Sequence, residues 1–192
     1  MIMENNLNLE NNDANDKKEN TFISSVYDIV SVFVSALIVI FLVFTFLGRN
    51  MMVSGESMLP TLNNNDKVAI SSFDRSYDYK DIVIVAQPNT LHKVLIKRVI
   101  ATEGQTVDID SEKGIVYVDS KPLDESYTLE PTYEKGNMKF PVTVPKGCVF
   151  VMGDNRNDST DSRMRSVGFI DERYIMGKVM FRFSPFGQFK VE

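Results

Sequence analysis

The chain predicts a mostly β, largely antiparallel domain preceded by one N-terminal transmembrane helix. Two observations carry this reading. A 19-residue stretch, Ile29 to Leu47, carries no charge. From about residue 50 onward, short runs rich in Val, Ile and Phe alternate with Gly, Pro, Asn and Asp, which is the pattern of strands and turns.

The N-terminal 20 residues hold seven Asn, five acidic residues and two lysines. They offer little apolar surface to bury, so 1–20 reads as a disordered tail. Residues 21–48 read as the anchor. As a helix, its uncharged core would reach roughly 28 Å, near the hydrocarbon thickness of a bilayer. A cleaved signal peptide fits less well, because the preceding segment is long and acidic and "FLGRN" offers no small-x-small cleavage site. Lys17 and Lys18 stand before the span and Arg49 after it, a weak bias toward an internal N-terminus.

Residues 49–192 then form the soluble part. Its expected strands are "KVAI", "DIVIVA", "HKVLIKRVIA", "TVDID", "GIVYVD", "CVFVMGD" and "GKVMFRFS". Asp119-Ser120-Lys121 marks a tight hairpin turn after the fifth of these. No helical period runs long enough to compete, and about 140 residues suffice to close a core.

Composition narrows the function. A net charge of −5 argues against nucleic acid as the main partner. One cysteine, Cys148, excludes an internal disulfide, and no Cys/His spacing suits a metal. Cys148 sits in an apolar run and reads as a small buried hydrophobe. No cofactor-binding loop is present.

Three stretches hold candidate chemistry. In "GESMLPT", Ser57 is either a turn residue or a nucleophile. The lone histidine, His92, lies beside the loop Gln87-Pro88-Asn89 and is a poor candidate for its base. Lys97 is another. Strand alternation puts Lys93, Leu95, Lys97, Val99 and Ala101 on one face, so Lys97 has apolar neighbours on both sides. Either it snorkels to solvent, or it loses hydration, its pKa falls and it can accept a hydroxyl proton. The third stretch is "GDNRNDSTDSR", 153–163. It is either a solvated loop or one stiffened by ion pairs among Arg156, Asp161 and Arg163, aiming Ser159 or Ser162 at a site.

"SMLPT" (57–61), "DIVIV" (81–85), "KRVIA" (97–101) and "GDNRNDSTDSR" (153–163) follow an N-terminal apolar span in that order. In this combination the chain resembles bacterial type I signal peptidases, with the small size and single span of the Gram-positive forms. The resemblance implies an all-β serine protease domain outside the cell membrane, an N-terminus in the cytoplasm and no cofactor or metal. Its substrates would be exported preproteins with small residues at P1 and P3, bound as an added strand, and an apolar surface would meet the lipid bilayer. By residue, it implies Ser57 as nucleophile and Lys97 as general base. Ser159 would orient the lysine, Asp161 and Arg163 would brace the site, and Arg98 would stand beside the base. Gly55, Met58, Pro60, Asp81, Ile82 and Val83 would form the substrate side, and the Ser57 N–H would bind the oxyanion. Two positions depart from the family. Gly55 stands where many Gram-negative members carry a serine, and "ATEGQ" (101–105) replaces the usual Gly-Leu-Pro-Gly-Asp. Two other readings are a self-cleaving Ser/Lys repressor core, which would lack a span, and a membrane-anchored β-domain that binds a partner without catalysis.

Overall fold

The computed structural model describes residues 26–41, 50–86 and 93–185. The expected tail at 1–20, the rest of the anchor at 21–25 and 42–48, and His92 lie outside the described residues. The chain divides into two compact units, Met1–Phe46 and Leu47–Glu192.

In the first unit, residues 26–41 form a helix, α1. The Ser31 and Ser35 hydroxyls donate to the carbonyls of Asp28 and Val32, so these two hydroxyls are satisfied on the helix itself. Its large apolar side chains, among them Ile29, Phe33, Leu37 and Phe41, are exposed. Among the described residues no helix is long and apolar enough to cross a membrane.

The second unit is antiparallel β. Its strands are β1 (Asn50–Met52), β2 (Lys67–Ser71), β3 (Ile82–Val85), β4 (Leu95–Ala101), β5 (Thr106–Asp110), β6 (Ile115–Val118), β7 (Lys121–Pro122), β8 (Val142–Thr143), β9 (Cys148–Met152), β10 (Ile170–Asp171) and β11 (Ile175–Ser184). A seven-stranded sheet runs β1-β2-β11-β3-β4-β9-β10, and a four-stranded sheet runs β7-β6-β5-β8. Each run expected from the sequence contains or overlaps one of these strands. The additional ones, β1, β7, β8 and β10, have two or three residues, too short to show a period of their own. The turn between β6 and β7 has positive φ at Asp119 and Ser120, the twist-matched form for a two-residue hairpin.

Burial explains the order. β3 reads Ile-Val-Ile-Val and is buried throughout, because it lies between β11 and β4 and is covered on both faces. One cluster, with Ile82, Ile84, Val68 and Val179, packs under the 53–62 turn through Val53, Met58 and Leu62. On the other face, Val83 and Val85 pack with Val99, Val149 and Val151. A third cluster joins Phe150, Met152 and Ile100 to Val107, Ile109, Val116 and Val118 of the small sheet. Cys148 is half-buried at the edge of this cluster, and burial pushes its thiol pKa up, away from the reactive thiolate.

β4 positions the site. It pairs with β3 over Leu95–Arg98 and with β9 over Arg98–Ala101, with a register irregularity between Val99 and Ala101. Its first three residues therefore carry an edge that β9 leaves unpaired.

Candidate active site

The turn after β1 presents Ser57. The Val53 N–H donates to the Asp66 carbonyl, and the Asn65 N–H donates back to Val53. Gly55 has φ of +96°, a conformation that side chains resist, and its N–H donates to Asn64 Oδ1 at 3.0 Å. Met58 is buried and pins the turn to the core, while Pro60 is exposed. The Ser57 carbonyl accepts the Asn155 N–H at 3.0 Å, and Asn155 Nδ2 donates to the Glu56 carbonyl. No partner for the Ser57 N–H appears among the described residues.

Lys97 reaches this turn from β4. Its Nζ lies 2.6 Å from Ser57 Oγ, and the residue is only 2% exposed. Leu95 and Val99, two positions to either side, join the valine cluster, as the alternation predicts. Burial strips water from the ammonium and pushes its pKa below the usual 10.5, with the Arg163 charge adding to the fall and the Asp161 and Asp154 charges opposing it. Of the two readings left open by spacing, the buried lysine is the one observed; it does not snorkel.

The 153–163 loop closes over the pair. Asp161 accepts from Arg163 Nε at 2.8 Å, from Arg163 Nη2 at 2.7 Å and from the Gly153 N–H at 3.0 Å. Burial alone would raise the Asp161 pKa, but the Arg163 hydrogen bonds and charge outweigh it and hold the carboxyl below its usual range. Ser162 turns inward, its Oγ accepting the Val151 N–H at 3.0 Å. Ser159 Oγ is buried without a hydrogen bond. It lies close enough to help lower the Asp161 pKa, but not in hydrogen-bonding geometry with Asp161 or Lys97. It packs with the Ser57 carbonyl against Gly153, leaving no room there for a Cβ.

Arg156 does not join the Asp161–Arg163 pair within the loop. Its guanidinium pairs with Glu125, donates to Thr132 Oγ1 at 3.0 Å and holds the Gly153 carbonyl at 3.0 Å. Arg98 binds Asp154 with both Nε (2.8 Å) and Nη2 (2.7 Å). Asp154 also accepts from the Thr61 hydroxyl, which ties the nucleophile turn to the loop. Asp154, Glu125 and Gly153 were missed in the sequence. Only Asp154 and Gly153 had any signal, as members of the dense 153–163 loop.

A cavity of about 210 Å³ opens beside Ser57, lined by Met51–Ser54, Met58 and Val94–Lys97 among others. The three residues expected from "DIVIV" do not line it. Ile82 and Val83 are buried within a strand paired on both sides, and Asp81 is held by Lys178 at 2.9 Å. Apart from Ser57, Met58 and Lys97, the cavity wall comes from Met51–Ser54 and Val94–Ile96, next to the motifs but outside them. Among the described residues, no group of three or more His, Cys, Asp or Glu could hold a metal.

The family model described as signal peptidase, peptidase S26 matches residues 26–184. The chain belongs to this signal peptidase family. Relatives agree. The "Probable signal peptidase I-1" of Synechocystis is 39% identical over 78% of this chain and 78% of its own. Signal peptidase I P of Bacillus subtilis subsp. natto is 34% identical over 88% and 94%. Signal peptidase IB of Staphylococcus aureus is 35% identical over 81% and 87%. This membership sets aside the repressor reading. In this signal peptidase the departing turn "ATEGQ" is well formed. Gln105 Oε1 accepts the Thr102 N–H at 2.8 Å, and Gly104 takes a φ of +81°.

Proposed function

We propose that this chain is a membrane-bound serine endopeptidase that removes N-terminal signal peptides from exported preproteins, with Ser57 as nucleophile and Lys97 as general base. The observation that carries the reading is the 2.6 Å approach of a buried lysine amine to Ser57 Oγ. A lysine kept neutral by burial accepts the Ser57 proton as Oγ attacks the scissile carbonyl. The Ser57 N–H donates to the oxyanion. As the C–N bond breaks, Lys97 returns the proton to the leaving amine. It then takes a proton from the water that attacks the acyl-enzyme and returns it to Ser57 Oγ as the ester bond breaks.

Two features support an extended substrate. Among the described residues, Leu95–Lys97 of β4 have no strand partner on the β9 side, and Met51–Ser54 lines the same cavity. A peptide lying there gains backbone hydrogen bonds, and a small cavity favours small side chains at P1 and P3. Asp161 and Arg163 hold the loop, and Ser159 stands ready to take a hydrogen bond from or give one to Lys97 when the site tightens around substrate. Residues 29–47 anchor the chain, with the N-terminus in the cytoplasm and residues 50–192 outside. The non-catalytic reading has no observation in its favour, since both members of the pair are present and in contact.

The test is cleavage of a precursor with an Ala-x-Ala site by the full chain in detergent, with product N-termini sequenced. Wild type and His92→Ala should release the mature N-terminus, and Ser57→Ala should not. A folded wild type that cuts no such precursor, or a Ser57→Ala variant that still cuts, overturns the assignment. Protease added to intact spheroplasts should digest residues 50–192; protection until lysis overturns the topology.

A further inference from the structure

Residues 124–138 contain none of the motifs, yet they supply partners to all three buried arginines around the candidate site. Glu125 and Thr132 bind Arg156. The Glu134 carbonyl accepts from Arg163 Nη1 at 2.6 Å. The Tyr127 ring stacks on Arg98, its centroid 4.0 Å from Cζ, and lies 5.7 Å from Arg156 Cζ. Leu129 N–H donates to the Asp154 carbonyl, so the same segment is stitched to the loop that holds Ser57.

Arg98 is the residue next to Lys97 and is fully buried. Asp154 neutralises its charge in the guanidinium plane, and the Lys80 carbonyl takes an Nη1 hydrogen at 2.9 Å. In-plane partners leave the flat face of a guanidinium exposed, and an aromatic ring is the side chain suited to cover it. From that face a continuous set of contacts leads to the nucleophile. Tyr127 covers Arg98, Arg98 holds Asp154, Asp154 holds Thr61, and the neighbouring Asn155 N–H holds the Ser57 carbonyl.

We propose that Tyr127 is a positioning residue for the Ser57–Lys97 pair, acting through the face of Arg98. Resting on the serine–lysine reading above, the proposal assigns a role in the reaction to a tyrosine that touches neither reacting atom. The ring carries the effect. Among the described residues the hydroxyl has only long contacts of 3.4 Å, to Tyr79 and Arg156.

The test compares Tyr127→Phe and Tyr127→Leu in the full chain in detergent, with kcat and KM measured on one precursor and thermal unfolding run alongside. Phe keeps the ring over the guanidinium, so its kcat should stay within about twofold of wild type. Leu is apolar but smaller and has no π face, so its kcat should fall about tenfold while KM moves less than about twofold. A tyrosine that only stabilised the fold would lower the unfolding temperature and leave kcat per folded enzyme intact. A folded Leu variant with wild-type kcat, or a Phe variant as impaired as Leu, overturns the proposal. Should Leu not fold, Tyr127→Met, which packs adaptably without an aromatic face, replaces it under the same criteria. Ser57→Ala in the same assay separates the two claims. Cleavage by that variant defeats the serine–lysine reading, whereas the Tyr127 results leave it standing.

Discussion

Lys97 and Arg98 are consecutive cations on one strand, both buried, and they meet opposite surroundings. Arg98 has a carboxylate bound through two nitrogens, a carbonyl and a stacked ring. Lys97 has a serine hydroxyl at 2.6 Å and, among the described residues, no carboxylate in an ion pair with it; the nearby charges of Asp161 and Asp154 oppose its pKa shift without reversing it. A guanidinium cannot give up its proton at ordinary pH, so burying one demands partners. An ammonium can, so burying one without a partner makes a base. The same strand thus yields a fixed charge at one position and a proton acceptor at the next.

The sharpest way to break this contrast is Lys97→Arg. It puts an ion that stays protonated where a base is needed. The rate should fall by ~10⁴-fold, the scale for losing one member of a nucleophile–base set, while circular dichroism stays native. In the wild type, the protonated lysine is inactive and the neutral one active. Activity should therefore rise with pH through a value below 10.5. A rate that does not rise with pH anywhere below 10.5 would contradict the assignment of the base.

Removing the partner of Arg98 comes next. Asp154→Ala leaves a guanidinium buried without a carboxylate, and stability should drop by about 3–5 kcal/mol. Denaturant unfolding measures this, and a loss of less than about 1 kcal/mol would mean that water or another group already serves Arg98. Gly153→Ala tests the packing that joins the two regions. The new methyl would collide with the Ser57 carbonyl and with Ser159 Oγ, so kcat should fall about tenfold or more through displacement of the nucleophile. An unchanged kcat would show that the turn can give way freely. At the bottom of the scale stands Lys113→Ala, which breaks an exposed pair with Asp110. Neither the unfolding midpoint nor the cleavage rate should change measurably, because solvent already screens such pairs.

Much of this was legible from the residues. The seven apolar runs are strands because their length and β-branched content suit a sheet in any packing. Ser57, Lys97, Asp161 and Arg163, which the family resemblance had marked, lie near one another. Asp81, Ile82 and Val83 show the limit. Their motif reads as part of the site, yet Ile82 and Val83 are core residues of a doubly paired strand. The cavity instead takes Met51–Ser54 and Val94–Ile96, from a three-residue edge strand and the open half of another. An open edge depends on which strands fail to pair, and no local pattern records that.

By itself, then, the sequence determined the β class of residues 50–185, the exclusion of disulfides and the set of residues able to do serine–lysine chemistry. The first two follow from alternation and composition, and the residue set from the family resemblance that "SMLPT", "KRVIA" and "GDNRNDSTDSR" carry. Only the tertiary structure decided that Lys97 is buried beside Ser57, that Arg98 belongs to Asp154 and Arg156 to Glu125, and that Tyr127 covers Arg98. Each of these is a contact between residues 29 to 56 positions apart. Their energies come from exclusion of water by several strands at once, a property of the assembled sheet and of no single segment.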